Sequence, residues 1–333
     1  MPRARSETVD LASTPYYHCI SRCVRRAFLC GRDEYTGQDY EHRRAWVVER
    51  LWLLSEVFAI ELYAYAVMSN HLHVVIRVDQ DAARHWDDDE VVERYARLFP
   101  GMKEAAKNAP ATQRRELCEK WRERLCSVSW FMRCLNEHIA RRANKEDDCK
   151  GRFWEGRFKS QPLLDEEALL TCMAYVDLNP VRSGNALNLE QSEHTSIALR
   201  LEYAEAALDE PNTKVVPPQL APFDDQVSRR SKRTTIPMSF LHYVELLEWT
   251  GRRQRAVGPA GFIRGDAPAL LQKLKLDPTA WLRVMEHQGL RTLTVLGSVE
   301  ALDEFAESQG KHWVHGKGLA RALAAPVGAR AAA

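Results

Sequence analysis

Two strand-like runs joined by a two-residue turn signal constrain this chain most. Ile60 to Met68 (IELYAYAVM) and His71 to Val78 (HLHVVIRV) are rich in β-branched and aromatic residues, and Ser69-Asn70 lies between them, so the pair predicts a β-hairpin. In a strand, residues two apart face one side. His71 and His73 therefore project both imidazoles in one direction, while Leu72, Val74 and Ile76 face the core. Neutral imidazoles suit divalent metals, and two such ligands leave positions where a phosphate oxygen can be polarised. A pair of surface histidines would leave the same pattern, so the hairpin alone does not define a site.

The remainder of the chain supplies alternating helices and strands, an α+β pattern. Tyr16 to Arg22 (YYHCISR) follows Pro15 and predicts a first strand, and Arg43 to Ala59 predicts a helix with one apolar stripe. Residues 79–126 interrupt the pattern as an acidic, then helical, insertion. Ser127 to Glu146 reads as a further helix, and Gly151 to Lys159 (GRFWEGRFK) as an aromatic, basic strand or loop. Asp165-Glu166-Glu167 opens a helix that Pro180 should stop just after Asn179. Residues 204–237 carry Pro211, Pro217, Pro218, Pro222 and the basic run Ser228 to Arg233, the composition of a linker. On this reading residues 1–203 form the main domain and 238–333 a small helical domain of unknown function, in keeping with a length of 333 residues.

Composition excludes little. Lys+Arg 47 against Asp+Glu 46 leaves a formal charge of +1, so there is no global basic excess, although a local basic face is compatible with it. No run of about eighteen apolar residues occurs and Met1 to Thr14 lacks an apolar core, which predicts a cytoplasmic protein without a membrane partner. The eight cysteines include no CxxC pair and read as reduced thiols. Cys19, Cys23 and His18 do not build a four-ligand zinc cage on a strand.

The second chemical feature lies on the helix before Pro180. Tyr175 and Asn179 are four apart, so a phenol and an amide oxygen share one helical face, and Asn179 could complete a metal's ligand set. A tyrosine hydroxyl has a free pKa of about 10 and is a poor nucleophile, yet beside a metal-bound phosphate it can attack phosphorus. An amphipathic core position is the commoner fate of a helical tyrosine.

Three blocks in order, Met68-Ser69-Asn70-His71-Leu72-His73-Val74-Val75, Phe153-Trp154-Glu155-Gly156-Arg157-Phe158-Lys159 and Tyr175-Val176-Asp177-Leu178-Asn179-Pro180-Val181-Arg182-Ser183-Gly184, together resemble the REP-associated tyrosine transposases. These belong to the insertion-sequence-200-like branch of single-tyrosine HUH transposases, and the resemblance spans roughly Pro15 to Ser196. It implies a ferredoxin-like βαββαβ sandwich whose antiparallel sheet carries the metal site, with magnesium or manganese as the ion. It further implies His71 and His73 as metal ligands, Tyr175 as nucleophile and Asn179 as a third polar ligand. The expected substrate is single-stranded DNA with hairpin-forming repeats, cleaved through a 5′-phosphotyrosine to leave a 3′ hydroxyl. Arg152, Arg157 and Lys159 would contact phosphates, with Phe153 and Trp154 either stacking on bases or packing in the core. Insertion-sequence relatives exchange the tyrosine helix between two copies, so a homodimer stays open. The close relatives often have tyrosine where this chain has Phe158. The alternative reading is a domesticated regulator that binds hairpin DNA without cutting it. A histidine-triad phosphoesterase would want a third histidine where Val75 stands.

Overall fold

The computed structural model describes residues 9–24, 28–33, 36–209, 216–227, 234–255, 267–286, 290 and 293–324. Strands β1 (Tyr16–Arg22), β2 (Ile60–Val67), β3 (His71–Val78) and β4 (Lys159–Leu163) form one antiparallel sheet in the order β2-β3-β1-β4. The β2–β3 hairpin turns at Ser69-Asn70, where the Met68 amide donates to the His71 carbonyl at 2.9 Å. Helix α1 (Arg43–Val57) connects β1 to β2. Between β3 and β4 run α2 (Gln80–His85), α3 (Asp88–Leu98), α4 (Gly101–Asn108), α5 (Ala111–Leu125) and α6 (Val128–Glu146). The molecule is therefore an α+β protein built on a four-stranded antiparallel sheet.

Strand alternation splits the core in two. Tyr17, Cys19, Leu72, Val74 and Ile76 pack with Leu51 and Leu54 of α1 and Phe131, Leu135 and Ile139 of α6. The opposite sheet face contributes Tyr63, Ala66, Val75 and Leu163 to a second cluster under α7 (Glu166–Asp177). A register shift between Leu62 and Ala64 in β2 accompanies two consecutive residues, Tyr63 and Ala64, in this second cluster, the effect of a β-bulge. Burying side chains of this size from water is worth roughly 1.5–3 kcal/mol each, so the second cluster is a full layer of core.

That second layer depends on the C-terminal third. After α7 come α8 (Asn179–Arg182), α9 (Ser196–Asp209), α10 (Phe240–Arg255), α11 (Ala269–Lys273), α12 (Pro278–Met285), α13 (Val299–Ser308) and α14 (Lys317–Leu323). Tyr243, Leu246 and Leu247 of α10 and the fully buried Trp281 of α12 join the same cluster as the sheet and α7. The stretch read as a linker is also structured in its described residues. Residues 204–209 complete α9, and Leu220 forms a parallel bridge to Leu62, the Ala221 amide donating to the Leu62 carbonyl at 2.8 Å. The basic run 228–233 lies outside the described residues.

Pro180 also acts differently from the stop signal expected of it. The helix breaks one residue earlier, at Leu178, and Pro180 opens α8 in the first-turn position where its missing N–H costs nothing. All eight cysteines are free thiols, and among the described residues no helix is long and apolar enough to cross a membrane.

Candidate active site

β3 lies beside β1 with Ile20 opposite His73 and Arg22 opposite His71. Directly opposed residues share a face, so His18, Ile20, Arg22, His71 and His73 all stand on the side that α7 covers. His73 is 2 % exposed, His71 half-buried and Arg22 exposed. The His71 and His73 ring centroids are 4.9 Å apart with the planes at 77°, and His71 Nδ1 sits 2.6 Å from Asn70 Oδ1.

β4 completes the row from the other side of β1. Gln161 is opposite His18, and Lys159 opposite Ile20. His18 Nδ1 lies 3.0 Å from Gln161 Oε1 and His18 Nε2 lies 2.8 Å from His73 Nδ1, the two imidazoles meeting edge to edge with centroids 5.1 Å apart and planes within 16° of each other. Burial pushes the His18 pKa down to about 4, against the hydrogen bond to Gln161, so the ring is neutral at neutral pH. The Gln161 amide nitrogen in turn donates to the carbonyls of Leu293 at 3.0 Å and Leu290 at 3.4 Å.

α7 brings the tyrosine to this face. Its start is capped by Asp165, whose carboxylate accepts from the Ala168 amide at 2.8 Å while Glu166 and Glu167 occupy the first turn. Tyr175 lies in the last turn of the helix, its ring 6.1 Å from that of His73 at 75°. The Arg182 guanidinium covers the tyrosine ring at 3.8 Å and donates to the Tyr175 carbonyl at 3.1 Å. Tyr175 is 1 % exposed. Asn179 is 5 % exposed, and its side-chain nitrogen has no hydrogen-bond partner, an uncompensated polar group in the core.

Asp177, which its helix position turns away from the tyrosine, is fully buried. Its carboxylate accepts from the Ile197 amide at 3.1 Å and from the hydroxyls of Ser196 and of Tyr243, the last at 2.6 Å. Burial raises its pKa to about 6, and the hydroxyl and amide donors together with the buried Arg200 work in the opposite direction.

The structure thus gathers His71, His73 and Tyr175 on one face, with Asn179 buried at the start of α8. Arg152, Arg157 and Lys159 are exposed. Phe153, Trp154 and Phe158 are buried in the α1/α6 core, and Trp154 Nε1 donates to the Asn136 carbonyl at 2.8 Å. Phe153 and Trp154 are core residues and not a stacking platform, since a base would have to displace their packing. Phe158 belongs to the opposite core from Tyr175. Sequence reasoning missed Gln161, Arg22 and the role of His18. Arg22 and His18 carry a signal in retrospect, the even spacing within YYHCISR that puts both on one face. Among the described residues no group of three or more His, Cys, Asp or Glu could hold a metal ion, so the two imidazoles would need oxygens from elsewhere.

No protein-family model matches the chain, and no curated protein matches it. A solved structure of a REP-associated tyrosine transposase bound to a REP hairpin is similar at 10% identity and a TM-score of 0.37, over 61% of this chain and 86% of that one. The likeness is distant, and the site has to be read from its own residues.

Proposed function

We propose that this chain is a metal-dependent, single-tyrosine HUH nuclease and strand transferase that cuts and rejoins single-stranded, hairpin-forming DNA in transposition, acting in the cytoplasm. The observation that carries the reading is the shared face: two imidazoles from β3 and the Tyr175 ring 6.1 Å from the nearer of them. The β-α-β-β-α-β order of β1, α1, β2, β3, α6 and β4, with the strands in the order β2-β3-β1-β4, supports describing the frame as ferredoxin-like.

The residues present fit a divalent ion. His71 and His73 supply two imidazoles, the oxygen of the buried Asn179 amide is a candidate third ligand, and the remaining positions would fall to oxygens of the substrate and water. Magnesium or manganese held there would polarise the scissile phosphate and offset its charge. The chain's own chemistry is a phosphoryl transfer. The Tyr175 phenolic oxygen, losing its proton, forms a bond to phosphorus while the bond to the 3′ oxygen breaks, leaving a 5′-phosphotyrosine and a 3′ hydroxyl. A second 3′ hydroxyl reverses the step, so no energy source is required. Arg152, Arg157 and Lys159, exposed near the N-terminal end of β4, would hold the backbone phosphates.

The burial of Tyr175 has two consequences. Cleavage requires the contact between α7 and its cover to open. The same burial favours, as a second reading, a protein that binds hairpin DNA without cutting it.

Labelled hairpin single-stranded DNA plus manganese separates the two. The wild type should form an SDS-resistant protein–DNA adduct, Tyr175→Phe should bind DNA without forming one, and His71→Ala or His73→Ala should lose cleavage with the fold retained. Binding by the wild type with no adduct on any hairpin would establish the non-cutting reading instead.

A further inference from the structure

Gln161 determines where the protons of two histidines sit. Its carboxamide nitrogen faces two carbonyl oxygens, those of Leu293 and Leu290, so that end must be the NH2 group and the oxygen must face His18. An amide oxygen only accepts. At 3.0 Å, His18 Nδ1 therefore carries the hydrogen and donates it, and the neutral ring keeps its lone pair on Nε2. That lone pair lies 2.8 Å from His73 Nδ1, which must donate in turn. His73 is left with its lone pair on Nε2. His71 reaches the same tautomer by a shorter route, its Nδ1 donating to Asn70 Oδ1 at 2.6 Å.

We propose that Gln161 and His18 are positioning residues, which lock His73 in the Nδ1–H tautomer and so present its Nε2 lone pair as a ligand; the inference rests on the metal reading above. His18 stands on β1, beside the His-x-His strand, and Gln161 on β4, one strand further out, and neither would touch the ion or the DNA. The relay is anchored in the C-terminal third, on backbone carbonyls that cannot change their hydrogen-bonding role. His18 at 1 % and His73 at 2 % exposure are closed to water that could otherwise supply a competing donor or acceptor. The partner of a ligating imidazole's other nitrogen fixes tautomer and orientation, and its removal costs about 10–100-fold in metal affinity or activity.

Nitrogen-15 labelling of the histidines in the metal-free, full-length protein reads the tautomers directly from long-range proton–nitrogen couplings. His73 should show a protonated Nδ1 and an unprotonated Nε2. In Gln161→Met, which keeps the length but removes the acceptor, that single state should give way to a tautomer mixture. Manganese affinity, measured as free Mn2+ by electron paramagnetic resonance, should fall about 10–100-fold in the same variant. A residue with a merely structural role would lower the melting temperature and leave the His73 tautomer unchanged, and that result overturns the proposal. So does a wild-type His73 protonated at Nε2 in a protein that binds manganese, a measurement that needs no variant to fold. Failure of the wild type to bind manganese while His73 keeps the Nδ1–H tautomer would instead overturn the metal reading, and with it the ligand-presenting role.

Discussion

Lys159 stands opposite Ile20, and Ile20 stands opposite His73, so the three lie in one row across the sheet. Neighbouring strands are about 4.8 Å apart, which puts the lysine backbone roughly 10 Å from that of His73 on the edge strand. An exposed ammonium at that distance suits the backbone of a strand whose scissile phosphate reaches the histidines. Lys159→Ala should weaken hairpin-DNA binding uniformly across sequences and flatten the dependence of log K on log salt by about one, because one counterion fewer is released. Fluorescence anisotropy over a salt series reads both, and an unchanged slope would remove Lys159 from the interface. The histidine pair was legible because strand period needs only local sequence. Gln161 was not, since its meeting with His18 depends on the register between β1 and β4, strands separated by more than a hundred residues. Phe153 and Trp154 stayed open between two readings for a related reason: an aromatic-basic string has the same composition whether its rings stack on bases or fill a core.

Helix α7 is held to the rest of the molecule by a buried carboxylate as much as by its apolar face. Asp177 accepts from Ser196 and Ile197 at the start of α9 and from Tyr243 of α10, so three helices meet on one side chain. Arg200 of α9 is fully buried nearby and donates to the Tyr63 and Ala221 carbonyls at 3.1 and 2.9 Å. Removing one member of such a buried set leaves the others desolvated and uncompensated, and Asp177→Ala should cost about 3–5 kcal/mol of stability. Tyr243→Phe removes one hydroxyl donor and should cost less, about 1–3 kcal/mol. Urea denaturation distinguishes them, and a cost below about 1 kcal/mol for Asp177→Ala would show that the helices are held by apolar packing alone. From sequence Asp177 could be turned away from Tyr175 by helical spacing. Its partners could not be named, because they arrive from elements that a proline-rich segment had seemed to set apart.

At the scale of the whole molecule, the C-terminal helices are continuous with the site. Leu246, Leu247 and Trp281 share one cluster with Tyr175, Val75 and the sheet, and Trp281 Nε1 donates to the Thr250 hydroxyl at 2.9 Å within it. Helical periodicity showed that these segments are helices. It could not show where their apolar stripes go, and a stripe laid on a sheet has the same spacing as one laid on other helices. The difference matters for any attempt to isolate the amino-terminal part. A chain ending at residue 237 would leave the α7 side of the sheet bare of α10 and α12 and would strip Gln161 of the Leu290 and Leu293 carbonyls that orient it. Such a chain should bind an apolar dye and lose the cooperative melting transition of the full-length protein. Cooperative melting of the fragment at the full-length temperature would instead make residues 238–333 a separable domain, and the tautomer of His73 would then have to be set without them.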